Sequence, residues 1–479
     1  MTATTADATP AATTRLPNRL RAILAIVLIA DVLDLMDSTI TNIAAPSIVH
    51  DIGGGQSLIK WLGASYALAM GVLLVVGGRL GDRYGKRRMF LIGITGFVVA
   101  SAWCGLSIDP TMLIAGRVVQ GGFGALLIPQ GIGLLLASFP REQLPKAVST
   151  FGPVMGGSAV LGPIAAGFII SANIGGLSWR PMFLINIVLG VIGLLAARRL
   201  LPMDVPAADV SIDGPGAALL GGSMFALIYG LIQGSTAGWT VTPIACLIVG
   251  GLFFIGFGVR QRMAADPLVL PSLLTNRGFT SGLVVGLAFF AAVNGLAYVI
   301  SLFLQTALGF RPAGAAIAMG PLMIGIIVAS FVCRPLIVTL GRRLVVCGLV
   351  VTLAGALGLW ATVATHGVGV SAWLLAPSTL VLGAGMGACF SSIYDVALGD
   401  VAPGQGGSAS GSLSAVQQLA AAIGSAIVTT VYFNELTNRG AGHAMTVSVA
   451  VVAAIAASCL ALVWMMPKTA PAEGPQDEK

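Results

Sequence analysis

Three aspartates, Asp31, Asp34 and Asp37, stand three residues apart inside an apolar run. On a helix each turns by about 60° from the last, so the three share a broad face. Carboxylates this close in a low dielectric cannot all ionise comfortably, and one that holds a proton near neutral pH can load and release it. The chemistry open to Asp34 and Asp37 is carriage of a proton or binding of a cation; the alternative is permanent hydrogen bonding to neighbouring helices. Asp31 sits nearer the start of the run, where water can reach it. Arg117 is a positive charge set well inside another apolar run, and it needs an acceptor there. If Asp34 or Asp37 accepts, protonating that acid weakens the pair and Arg117 is a switch. If backbone carbonyls of a kinked helix accept, it is a fixed latch.

Such groups need elements that hold them in hydrocarbon, and the composition supplies them. Of 479 residues 56% are hydrophobic and 9% charged, and mean hydropathy is +0.95. Soluble domains are about a quarter charged, so most of this chain cannot face water. Sixty-four glycines suit membrane helices, where small residues let backbones approach. Apolar runs of about 20 residues fall near 22–44, 58–78, 89–107, 111–138, 147–171, 181–200, 215–233 and 241–259. Six more fall near 279–305, 313–336, 343–365, 371–395, 408–433 and 444–466. The expected fold is all-α: a polytopic membrane protein of fourteen transmembrane helices.

Charge tests that count. With both termini cytoplasmic, twenty of the twenty-five Lys and Arg lie on the inner side. Lys60, Arg180, Arg311 and Arg439 lie outside and Arg117 within a span, which is the positive-inside bias. The net charge of +7 then belongs to cytoplasmic loops in a cell (plasma) membrane, and nucleic acid is not an expected partner. The six cysteines all fall in apolar runs, against a disulfide framework or metal cluster. His50, His366 and His443 sit in separate short gaps, as surface residues do.

A tight basic loop, Gly78-Arg-Leu-Gly-Asp-Arg-Tyr-Gly-Lys-Arg87, follows the second run, and Arg334-Pro-Leu-Ile-Val-Thr-Leu-Gly-Arg-Arg343 follows the tenth. Leu80, Gly85 and Arg87 match Leu336, Gly341 and Arg343. Equivalent loops in six-span halves, with two spans inserted between them, give a division into residues 1–20 (a disordered cytoplasmic tail), 21–200 (an N-terminal six-helix bundle), 201–262 (a two-helix insert with linkers), 263–466 (a C-terminal six-helix bundle) and 467–479 (a cytoplasmic tail). Repeated halves about a midplane site are a transporter signature.

The first loop resembles the cytoplasmic loop signature of the major facilitator superfamily, with Gly81 where the pattern has alanine. Arg117-Val-Val-Gln-Gly121 is similar to an Arg-x-x-Gln-Gly element of these carriers. Gly162-Pro-Ile-Ala-Ala-Gly167 is similar to their antiporter motif, with Ala166 in place of a glycine. Leu35-Met-Asp-Ser-Thr-Ile-Thr-Asn-Ile-Ala-Ala-Pro46, Trp179-Arg-Pro-Met-Phe-Leu-Ile-Asn186 and Ser408-Ala-Ser-Gly-Ser-Leu-Ser-Ala-Val-Gln-Gln418 resemble the fourteen-span drug:proton antiporters. The second loop departs at Val338 and Thr339, and Val188 stands where a proline is common.

The resemblance implies a secondary exporter of hydrophobic or amphipathic, cationic compounds that works by proton antiport with alternating access. It places a proton-coupling acid at Asp37, with Asp34, Asp31 and Arg117 beside it. It also implies gating roles for Gly78, Asp82, Arg83, Gly85, Lys86 and Arg87 as a latch, and for Gly162, Pro163 and Gly167 in close packing and bending. Asn294 and Tyr298, one turn apart, are with Phe289, Phe290, Gln305 and Phe390 either the lining of an amphipathic cavity or helix-packing contacts. Asp395 is a second protonation site or, better, a cytoplasmic cap. The expected partners are a small-molecule substrate, protons and the lipid bilayer, with no obligate protein partner and no cofactor.

ATP is not the energy source: Gly81-Asp-Arg-Tyr-Gly-Lys86 has three residues between glycines where a P-loop needs four, and Arg87 takes the Ser/Thr position. Gly383-Ala-Gly-Met-Gly387 lies mid-membrane without a preceding strand and reads as helix packing. An enzyme is not expected, since no His-rich or paired catalytic cluster is present. The readings that stay open beside broad export are a dedicated exporter of one endogenous metabolite or lipid, and a non-transporting receptor.

Overall fold

The computed structural model describes residues 17–467, apart from 141–142, 144–146, 148–150, 204–212, 265–266, 270, 334 and 399–405. Most of both expected tails, and Arg334 of the second loop, lie outside the described residues. The helices are α1 (Asn18–Ile52), α2 (Gly55–Tyr84), α3 (Lys86–Gly105), α4 (Pro110–Ser138), α5 (Phe151–Ala172) and α6 (Arg180–Leu200). A hairpin of α7 (Gly214–Ala237) and α8 (Val241–Met263) follows, then α9 (Pro271–Thr275) and α10 (Arg277–Leu302). The chain continues through α11 (Pro312–Ala318), α12 (Gly320–Cys333), α13 (Leu336–Leu340), α14 (Arg342–His366), α15 (Ala372–Leu398), α16 (Gly406–Arg439) and α17 (Ala441–Leu462).

Local chemistry starts these helices where they start. Asp109 accepts from the Met112 amide at 2.9 Å with Pro110 in the first turn of α4, a capping arrangement that satisfies an otherwise orphaned donor. Asn276 does the same for α10 through the Phe279 amide at 3.0 Å. Asp213 caps α7 through the Gly216 amide and also accepts from Arg260 Nε at 3.0 Å, tying the two ends of the α7–α8 hairpin.

Twelve stretches among the described residues are long and apolar enough to cross a membrane, α11 and α12 jointly forming one of them. Two long helices stand outside that set: α1, with 35 residues, and α5, with 22. In α1 the apolar run carries three aspartates, Asp31, Asp34 and Asp37, more charge than an ordinary lipid-crossing stretch holds. The chain is a multi-pass membrane protein.

Helices α1 to α6 pack on one another, with α4 against α2 and α3, and α1 against α5 and α6. A second set packs α10 on α16 and α17, and α15 on α14 and α12. The sets meet where α2 lies along α16 and where α5 meets α11 and α12. The α7–α8 hairpin leans on α2 and α16 through α7. Helix α8 leaves Val241, Ile248, Leu252, Phe254 and Ile255 exposed, as a lipid-facing helix does.

Arg87 contacts the end of α6, and Arg342 contacts the chain just past α17. Together with the alternating helix directions this brings both ends of the described chain to one face, here the near end. At the far end one apolar cluster joins both helix sets, running from Ile40, Ile48 and Leu62 to Tyr298, Ala315 and Met319. Toward the near end lie a cluster of Ile23, Val27, Leu134 and Phe139 of the first set, which reaches Ala415 of α16, and a smaller one of Leu273, Phe279, Ala409 and Leu413 in the second. Lys60, expected on the outer surface, is fully buried near the far end with its ammonium 5.6 Å from the Phe433 ring centre.

Candidate functional site

Five helices of the first set converge on Asp37. Its Oδ1 accepts from Gln120 Nε2 at 2.9 Å and from Asn186 Nδ2 at 2.7 Å, and its Oδ2 is ion-paired with Arg117 Nη1. Arg117 also donates to Gln120 Oε1 at 2.8 Å, and Gln120 in turn donates to Ser101 Oγ at 2.7 Å. The guanidinium lies 4.3 Å from the Tyr66 ring centre and 5.9 Å from that of Phe183. Tyr66 donates its hydroxyl to Asp34 Oδ1. Asp37 and Arg117 are each 1% exposed, so water screens the pair little.

The geometry thus selects Asp37 as the acceptor of Arg117, and Asp34 is held by a phenol one turn away. Asp31 is buried with Oδ2 unpartnered among the described residues. The chain therefore holds three acids in three different settings: Asp37 met by a cation and two amides, Asp34 by a hydroxyl, and Asp31 buried with Oδ2 unpartnered among the described residues. Breaking a buried ion pair by removing one partner costs about 3–5 kcal/mol. Any step that neutralises Asp37 releases Arg117, Gln120 and Asn186 together, from two different sequence motifs.

Sequence reasoning missed Tyr66, Ser101, Gln120 and Asn186 as members of this cluster. Gln120 and Asn186 were legible as amides inside apolar runs. Tyr66 carries no such signal, since an aromatic in an apolar helix is ordinary core.

At the near end Gly85, at φ 95°, lets α2 stop and α3 start within one residue, because only glycine adopts that backbone freely. Asp82 and Lys86 pair across this turn at 2.6 Å, a part-exposed contact of small individual strength. Arg83 lies over the Tyr84 ring. Arg87 donates to the carbonyl of Arg198 at 2.6 Å, a cation at the C-terminus of α6. Gly341, at φ 47°, makes the equivalent turn, and Arg342 donates to the carbonyls of Trp464 at 3.2 Å and Met466 at 2.9 Å. The internal echo thus carries a shared task, but Arg87 is matched by Arg342, one residue from the alignment of Arg87 with Arg343. Gly78 makes only ordinary contact with Pro129.

A Cβ on Gly162 would lie 2.7 Å from Thr39 Oγ1, so this glycine lets α5 close on α1 beside the aspartates. A Cβ on Gly167 would lie 2.7 Å from the Pro312 carbonyl and 2.8 Å from Ala313 Cα, where the two helix sets touch. Gly167→Val is expected to disfavour far-end closure by about 1–3 kcal/mol, a shift of about 5- to 150-fold in population. Distances between spin labels at Ile174 and Arg311 should lengthen; unchanged distances would contradict the contact. The side chains of Pro163 and Asp395 lie outside the described residues.

Also at the far end, Asp51 accepts from Arg180 Nη1 at 2.5 Å and Trp179 Nε1 at 3.0 Å. Burial raises its pKa, but these hydrogen bonds and the Arg180 charge outweigh it and hold the carboxyl below its usual range. The clasp is therefore present above the ordinary carboxylate value and is lost as pH falls through the lowered one.

The six residues considered as cavity lining are not brought to one wall. Phe289, Phe290 and Phe390 pack edge-to-face with centroids 4.9–5.9 Å apart. Asn294 donates to the Phe290 carbonyl of its own helix at 2.8 Å. Tyr298 donates to the Ile59 carbonyl of α2 at 2.5 Å, closing the far end between the helix sets. Gln305 donates to Ser301 Oγ at 3.1 Å and borders a far-end cleft of about 520 Å³ with His50, Asp51 and Phe310.

A buried charge cluster inside one of two opposed helix sets is the architecture of a membrane carrier. Residues 27–425 match the model of the Major Facilitator Superfamily, and the chain belongs to that family. It is 40% identical to the probable actinorhodin transporter of Streptomyces coelicolor over 87% of this chain and 73% of that one. It is 32% identical to the tetracenomycin C resistance and export protein of Streptomyces glaucescens over 82% and 72%. The xylose transporter XylE from E. coli, in a partially occluded inward-open conformation, shares the fold with a TM-score of 0.64 at 15% identity, over 96% of this chain and 100% of that one. The chain is a small-molecule transporter of the efflux type, not an enzyme.

Proposed function

We propose that this protein exports hydrophobic or amphipathic compounds in exchange for protons, with Asp37 as the group that couples the two. One observation carries the reading: Asp37 is buried and answered by Arg117 and Gln120 of α4 and Asn186 of α6. A proton on Asp37 dissolves the ion pair and frees the helices it ties. Loss of the proton draws α1, α4 and α6 together again. Asp34, on Tyr66, and the buried Asp31 form the relay toward the near end.

With α1 and α5 as crossings, the chain spans the plasma membrane fourteen times with both termini cytoplasmic. The near end is then the cytoplasmic side. The proton gradient replaces a cofactor. One proton moving through 100 mV and one pH unit releases roughly 2.3 plus 1.4 kcal/mol, enough for a gradient of about 500-fold in a neutral substrate. The test is ethidium uptake into inverted vesicles under an imposed proton gradient. Uptake that ignores the gradient would sink the proposal.

The names of the two relatives favour a narrower second reading, a dedicated exporter of one compound. Growth inhibition across many unrelated toxic compounds separates the two: protection against several supports broad export, protection against one supports narrow.

In the near-end loop we expect Asp82→Asn to leave ligand binding intact and slow turnover several-fold, since it removes one exposed pair of about 0–1 kcal/mol. Lost binding with unchanged conformational exchange would count against a latch.

A further inference from the structure

On the outer flank of the first helix set, at the near end, runs a groove of about 760 Å³. Its lining includes Arg87, Arg88 and Arg198, and among the described residues no carboxylate lines it. Arg87 is held on the Arg198 carbonyl, while the side chains of Arg88 and Arg198 are exposed. Beyond the mouth the wall is apolar: Leu91, Ile92, Val99 and Phe123. Arg88, Leu91, Ile92, Thr95 and Val99 follow one face of α3 at helical spacing. From Arg88 to Val99 the helix rises about 16 Å, close to half of the ~30 Å hydrocarbon core. The floor is the Phe123 ring, seated on Gly96, where a Cβ would lie 2.2 Å away.

We propose that this groove binds an anionic phospholipid of the near-end leaflet, its phosphate on Arg88 and Arg198 and one acyl chain laid along α3. The charge at the mouth and the apolar length match the two parts of one lipid, and the length matches one leaflet. A free phosphate would leave the apolar wall empty. A zwitterionic headgroup would meet three cations and, among the described residues, no carboxylate for its ammonium. The described lining comes from α2, α3, α4 and α6 with Met203, not from between the helix sets, so the groove is separate from a substrate path through the centre.

The experiment is native mass spectrometry of the delipidated full chain with equimolar phosphatidylglycerol and phosphatidylcholine of identical acyl chains. Wild type should retain phosphatidylglycerol in preference. Arg88→Gln with Arg198→Gln should reduce that retention roughly 30-fold, at about 1 kcal/mol for each arginine near the surface. Val99→Trp, at a position 62% exposed, should reduce retention without altering charge, by filling the groove. Glycerol 3-phosphate should compete poorly. Equal retention of the two lipids, retention unaffected by the arginine pair, or full competition by glycerol 3-phosphate would overturn the proposal. So would a groove that ethidium, taken as a cargo probe, occupies in preference to lipid.

Discussion

Asp37→Asn should reduce proton-driven uptake of ethidium into inverted vesicles to the leak of empty vesicles while the protein still folds. The amide is nearly the shape of the carboxyl, so the chain still folds, but it stands in for the protonated acid and holds α1, α4 and α6 in the released arrangement. What it lacks is exchange of a proton, and with it the alternation between a paired and a released Arg117. Arg117 stays buried without its counter-charge, so the substitution costs about 3–5 kcal/mol. A lowered melting temperature with a monodisperse size-exclusion profile would show a folded protein whose lost uptake is a loss of coupling. Uptake at wild-type rate would remove Asp37 from the mechanism.

The second large effect is expected at Arg117. Arg117→Gln leaves Asp37 buried without its counter-charge, a loss of about 3–5 kcal/mol, and should lower both thermal stability and transport. Combining it with Asp37→Asn should recover most of the stability, because no uncompensated charge remains, while transport stays absent. Additive losses in the double variant would mean that the two side chains contribute independently, contrary to their contact. The cycle reads the coupling of the pair directly. It also separates switch from latch: a latch predicts that the stable double variant transports.

The fold was legible because membrane burial imposes a coarse pattern, with long apolar runs, charges at their ends and arginines on one side. Helix α1 shows where that pattern weakens. Three acids in one run exceed what a lipid-crossing stretch ordinarily carries, so the span most concerned with chemistry is the one a charge rule describes worst. The site was legible in part for the same reason. Asp37 and Arg117 stand out because charge in hydrocarbon is costly, but which acid faces which base depends on helix rotation, and a sequence does not fix that to the needed 60°. Tyr66 became part of the site only through its reach to Asp34. The cavity residues stayed open in sequence between lining and helix packing, because an aromatic side chain suits either; in the structure Phe289, Phe290 and Phe390 pack on one another.

The central claim is that carboxyls on α1 carry the exchanged proton. Its most direct test follows lumenal pH in proteoliposomes holding purified protein, with an outward ethidium gradient as the sole driving force. Wild type should move protons against the ethidium flow, and the variant carrying Asp31→Asn, Asp34→Asn and Asp37→Asn should leave lumenal pH unchanged. Full proton exchange by that triple variant would contradict the account.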